Sequence, residues 1–110
     1  MTAKELLGMV AGLRPHDYPD DVLLHWVDEL EGRIALEIHG AAKPPRPVQT
    51  RMGLPLSAPA PYDRLYWAYL LAMLDLMEGA QEAYAASHAL FREAYDAYAR
   101  YVVRTGGGGV

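Results

Sequence analysis

A histidine and a carboxylate four apart on a helix can share a metal ion or a proton, and His25 and Glu29 have that spacing. One such pair is half a site. Zinc and di-iron centres need a second, and neither an HExxH nor a Glu-x-x-His motif supplies it. His16, His39 and His88 stand alone and read as surface or boundary residues. Asp28, Glu29 and Glu31 do not all face one way on a helix, so no dicarboxylate acid–base pair is evident. The serines are Ser57 and Ser87, and no base is spaced to activate either. The run of four glycines at residues 106–109 opens no helix, so it is not a phosphate cradle. These residues predict no catalytic set, no metal site and no cofactor; the chain reads as a protein-binding one rather than an enzyme.

Composition points the same way. With 110 residues the chain reads as a single helical domain, residues 1–110, able to bury one modest core. No cysteine means no disulfide framework or thiolate site, which fits a cytosolic life. No apolar run approaches the ~20 residues of a membrane span, and no signal peptide is expected. The net charge of -4 conceals a split. Residues 17–39 carry seven acids (Asp17, Asp20, Asp21, Asp28, Glu29, Glu31, Glu37) against Arg33, whereas residues 41–62 carry Lys43, Arg46 and Arg51 and no acid. Two such elements can complement one another between copies in a ring; the plainer reading is a solvated helix face and a solvated loop. A pI near 5.4 and the lack of a basic helix argue against general nucleic-acid binding. The three bases could still line a channel through which DNA passes.

The elements that must position these residues are helical. Thr2-Ala3-Lys4-Glu5 is a capping box, followed by an apolar stripe of Leu6, Leu7, Val10 and Leu13 that Gly8 and Gly12 weaken. Arg14-Pro15 ends it. A second helix starts at Pro19-Asp20-Asp21, buries Val22, Leu23, Trp26, Val27, Leu30, Ile34 and Ile38, and stops near Gly40. Trp26 is expected in the core.

Residues 41–62 form an arm with six of the eight prolines (Pro44, Pro45, Pro47, Pro55, Pro59, Pro61), which excludes a helix. Its apolar patch of Met52, Leu54, Pro55 and Leu56 suits laying it on a partner rather than leaving it as a linker.

From Asp63, a possible cap, to residue 104 one amphipathic pattern continues. Tyr66, Met73, Ala80, Ser87, Ala94 and Tyr101 recur every seven residues; Leu70, Met77, Tyr84, Phe91 and Tyr98 lie four further on. A third row holds Tyr69, Leu76, Ala83, Leu90 and Ala97. The small residues in these rows allow another helix to approach closely. Gly79 and Ser87 are weak points, and Ser87 could cap a separate last helix. The pattern predicts one bent helix or two nearly collinear ones, with Met73, Leu76, Met77, Leu90 and Phe91 buried against Trp26, Leu30 and Ile34. The expected fold class is all-α: a small helical bundle with a long C-terminal helix, bent or in two collinear pieces, an extended proline-rich arm, and a tail at residues 105–110 flexible by composition.

Three stretches carry a resemblance. They are LRP-x-x-Y-x-DD-x-x-L-x-W-x-x-ELEGRI (residues 13–34), PYD-x-LY-x-x-Y (residues 61–69) and S-x-ALF-x-x-AY-x-AYARY-x-x-RT (residues 87–105). Together they resemble the small helical head–tail connector, or adaptor, proteins of tailed bacteriophages and prophages. The resemblance implies a structural virion protein of the neck, present in host cytoplasm during assembly. Such proteins form a homo-oligomeric ring, commonly of twelve subunits, under the portal protein; the ring extends the DNA channel and seats the next connector or tail protein. It implies non-specific DNA in the channel as a possible partner, no cofactor and no membrane. On that reading Lys43, Arg46, Arg51, Met52, Leu54 and Leu56 of the arm would meet a neighbouring subunit through acids such as Asp28, Glu31 and Glu37. Tyr101, Val102, Arg104 and Val110 would be candidates to dock on the portal. The competing class is a helical dimerising module, such as a regulator or a toxin–antitoxin partner, whose long helix pairs with itself.

Overall fold

The computed structural model describes residues 1–40, 52–53 and 55–106, and among them the chain is all-helical. Helix α1 (Ala3–Leu13) opens on the expected capping box: the Thr2 hydroxyl accepts the Glu5 amide at 3.2 Å, and the Glu5 carboxylate accepts the Thr2 amide at 3.1 Å. Leu6, Leu7 and Val10 are buried, but Leu13, at the last turn, is exposed. Helix α2 (Asp20–Glu37) has Asp20 and Asp21 in its first turn and no side-chain cap; Gly40 beyond its end takes φ +74°, as a stop residue should. Trp26, Val27, Leu30 and Ile34 are buried in the core as their spacing requires.

The C-terminal pattern divides into α3 (Arg64–Met77) and α4 (Gln81–Arg104). They are neither one bent helix nor collinear. The ring of Tyr69 lies 5.0 Å from that of Phe91, Ser87 bonds to Asp75, and Tyr62 stacks on Tyr101 at 4.6 Å. Partners whose numbers rise on one helix as they fall on the other define an antiparallel hairpin. The cause is local. Gly79 adopts φ +71°, its amide donates to Leu76, and the Ala80 amide reaches back to the Asp75 carbonyl at 3.0 Å. That is a Schellman stop, which reverses the chain instead of bending it. Asp63 occupies the N-cap position of α3 without a side-chain cap bond, and Ser87 sits inside α4 rather than at its start.

Helix α3 buries Leu65, Tyr66, Ala68, Leu70, Ala72 and Leu74, which cover most of its circumference; a helix buried on more than one face belongs at the centre. Helices α1, α2 and α4 all pack against it. Helix α4 is amphipathic and turns Phe91, Ala94, Tyr95, Tyr98 and Val102 inward. The expected burial of Phe91 holds, at 1% exposure, and Met73 is half-buried. Leu76, Met77 and Leu90 are corrections: each is about half exposed. Leu76 and Met77 fall in the last turn before the reversal, and Leu90 belongs to the third row, which runs along the edge of the hairpin. Treating the pattern as one continuous helix hid both effects.

Candidate functional site

His25 and Glu29 do meet, at 2.8 Å, but on open surface, with 71% and 55% of their side chains exposed. Among the described residues no three histidines or carboxylates converge as metal ligands would. The buried polar groups tie helices together. Asp75, 2% exposed, pairs with Arg14 at the end of α1 and takes the Ser87 hydroxyl at 2.6 Å, linking α1, α3 and α4. On the other side of the bundle Glu37 accepts from the Tyr95 hydroxyl and from Arg33 at 3.0 Å, while the Arg33 guanidinium lies over the Tyr95 ring at 4.8 Å. The Tyr95 hydrogen bond, then that of Arg33, holds Glu37 below the usual carboxylate range; burial, then Glu37, pushes the Tyr95 phenol up.

The most connected polar cluster centres on Glu31 and Tyr66. The Tyr66 hydroxyl donates to Glu31 Oε1 at 2.6 Å and accepts the Ala58 amide at 2.8 Å. Glu31 Oε2 accepts both the amide and the hydroxyl of Ser57, at 3.0 and 2.8 Å. Burial, reinforced by the Glu31 charge, pushes the Tyr66 phenol far up. The cluster fastens the end of the arm to its own subunit. Nearby, the Leu56 amide donates to the Met1 carbonyl at 2.9 Å, and Pro55 bridges to Thr2. Ala58 is buried, and Ala60–Pro61 is a cis peptide just before α3. The signals for this anchor were present: Glu31 interrupts the buried face of α2 between Val27 and Ala35, and Tyr66 heads an inward row.

The residues singled out as contacts are therefore divided. Glu31 is turned into its own subunit, and Met52 and Leu56 pack partly buried against its core. Glu37 remains exposed but engaged, and Asp28 is half-buried. Val102 is buried and Tyr101 half-buried, so among the described members of the C-terminal set Arg104 is the one on open surface; the unanticipated Val103 beside it is 78% exposed. Lys43, Arg46, Arg51, Leu54 and Val110 lie outside the described residues.

The surface feature best suited to a partner is a groove of about 250 Å³ between α3 and α4. Pro61, Tyr62, Arg64, Trp67 and Ala68 form one wall; Leu90, Glu93, Ala94 and Ala97 form the other. It is mainly apolar, with Arg64 and Glu93 as the charges of its lining. Ala68, Ala94 and Ala97 contribute small side chains to the lining, two of them, Ala94 and Ala97, from the small residues of the C-terminal pattern. Its rings and methyl groups offer contact area to an apolar chain. Among the described residues no helix is long and apolar enough to cross a membrane. No protein-family model, curated protein or solved structure matches this chain.

Proposed function

We propose that the chain is a structural assembly protein: a subunit of a ring-forming head–tail connector of the tailed-phage type, seated under a portal protein. Its ring would extend the DNA channel and present a platform to the next connector or tail protein. The reading rests on the three residue patterns that resemble such connectors. The structural observation that supports it is the distribution of apolar surface. A chain with a well-filled core still exposes Leu76, Met77, Leu90 and Val103 along one hairpin and leaves the Trp67–Leu90 groove open. The polar clusters, meanwhile, serve to hold helices and the arm in place. That arrangement suits large protein surfaces and offers little to a metabolite.

The test is assembly. Purified chain mixed with portal rings should appear in micrographs as an added ring layer, and its mass by light scattering should be that of a ring. A chain that remains dimeric at all concentrations and ignores portal rings would instead establish the second reading, a helical dimerising module. The exposed apolar residues of α3 and α4 would then form the dimer seam.

A further inference from the structure

We infer that the two ends of the bundle are the two halves of one contact, the acidic end of one copy seating on the basic end of the next. This rests on the self-assembly proposed above and names the surfaces that carry it, all of them described residues. The first ground is where the exposed apolar side chains emerge. The Arg14–Asp75 pair joins the last turn of α1 to the last turn of α3, so Leu13, Leu76 and Met77 come out at the same end, each about half exposed. At the opposite end Tyr62 stacks on Tyr101 and joins the start of α3 to the end of α4. Val103 stands there at 78% exposure, and Pro61 is exposed as well. Each end therefore carries apolar surface that its own subunit leaves open.

The second ground is charge. The end with Leu13, Leu76 and Met77 also exposes Asp17, Asp20, Asp21, Glu78 and Glu82, and Arg14, the base there, is taken by Asp75. The other end exposes Lys4, Arg64, Arg100 and Arg104 against half-buried Asp63 and Glu5, which is tied to Thr2. Among the described residues no ion pair engages Glu78, Glu82, Arg64, Arg100 or Arg104. Helix dipoles account for part of the pattern: Asp20, Asp21 and Glu82 lie in first turns, and Arg104 in a last turn. They do not account for Arg64, which opens α3, or Glu78, its C-cap. Each of these opposes the dipole of α3 and shares the sign of its own end of the bundle. The helix gains nothing from either charge, so the sign answers to what meets the surface.

The third ground is the distance between the ends, which selects a second copy. At 1.5 Å per residue, Glu82 and Arg104 stand ~33 Å apart along α4, against a Debye length of about 8 Å at physiological salt. The two ends cannot neutralise one another within a subunit, but they can between copies. Every copy carries both halves, acidic rim with Leu76 and Met77 on one side, basic rim with Val103 on the other, so one contact covers both patches. Contact between unlike surfaces is heterologous: it closes into a ring or runs on as a filament.

Light scattering on the full chain over a range of concentrations tests this, with wild type, Glu78→Arg and Arg64→Glu measured alone and the two variants mixed. Both side chains are exposed, and each change brings the sign that the α3 dipole favours, so melting temperatures should hold or rise. Self-association should nevertheless fall about tenfold in each variant, because reversal turns attraction into repulsion. An equimolar mixture should associate about as wild type does, since the basic end of one variant and the acidic end of the other are intact. A wild type that stays monomeric at every concentration overturns the assignment and leaves the patches to a foreign partner. So does either variant that assembles like wild type, as it would if like ends met. A mixture no better than its separate components overturns it too. The connector reading fails separately: copies that associate end to end but never bind a portal ring remove the phage assignment and leave the contact standing. Rings on the portal that survive both substitutions do the reverse.

Discussion

Replacing Tyr66 with phenylalanine isolates the cluster that fastens the arm to the helical core. The ring is fully buried and phenylalanine fills the same space, so packing is nearly unchanged. What is lost is one oxygen with two partners: the Glu31 carboxylate at 2.6 Å and the Ala58 amide at 2.8 Å. A hydrogen bond to a charged group contributes about 1.5–3 kcal/mol, and a buried amide left without its acceptor costs about 1–3 kcal/mol. Glu31 keeps the amide and hydroxyl of Ser57, which softens the loss. The expected destabilisation is roughly 2–4 kcal/mol in urea melts at pH 7. Alkali supplies an independent reading. The Tyr66 phenol titrates far above its ordinary value of 10.0, so above that pH the folded state holds a proton that the unfolded chain has released. Its contribution is complete below pH about 10 and declines as pH rises, by up to about 1.4 kcal/mol per unit for this one group. Phenylalanine cannot titrate. The gap between wild type and variant should therefore narrow between pH 10 and 11. A cost below about 1 kcal/mol at pH 7, or a gap that stays constant into alkali, would show that the cluster does not anchor the arm as described.

Three further outcomes follow from the same contacts. Gly79→Ala should cost roughly 1–2 kcal/mol in urea melts although nothing lies within 4 Å of the added methyl, because the penalty is the φ of +71° itself; an unchanged midpoint would contradict the Schellman reversal. Phe91→Ala should cost about 3–5 kcal/mol, since the ring is buried beside Tyr69 and Tyr95 and under Arg33, and a cost under ~1 kcal/mol would place it outside the core. Deleting residues 43–51 behind a short linker should preserve the melting temperature and abolish assembly on portal rings. Extending the deletion to residue 60 should lower the melting temperature as well, because Ser57 and Ala58 leave Glu31 and Tyr66. Complete particles from the shorter deletion would refute the arm's role as a joint.

Features set by a few adjacent residues were legible in the sequence. The Thr2–Glu5 box, the stop at Arg14-Pro15 and the buried face of α2 depend on local spacing, and the structure shows each of them. The hairpin was not legible, although its signal was. One glycine in a long amphipathic run is compatible with a bend or a reversal. Choosing between them requires knowing whether α3 has surface to bury on every side, and that depends on α1 and α2 being present to cover it. Once Leu65, Ala68, Leu70 and Leu74 are seen to be buried on more than one face of α3, a folded-back α4 is needed to cover the side that α1 and α2 leave. The exposure of Leu76, Met77 and Leu90 follows from that geometry.

How the arm's end attaches was not legible for a related reason. Prolines show where a helix cannot form, but they do not show where an extended segment becomes attached. Attachment came from Glu31, a single carboxylate on an otherwise apolar face of α2. Burying that charge is tolerable because Ser57 and Tyr66 bring hydrogen bonds to both of its oxygens. The anchor divides the arm into two parts with different work. Residues 55–61 belong to the subunit's own core and set the entry into α3. The basic, proline-rich residues 43–51 lie outside the described residues, and it is their composition that suits another surface. One carboxylate on α2 thus determines where the arm joins the core of its own subunit.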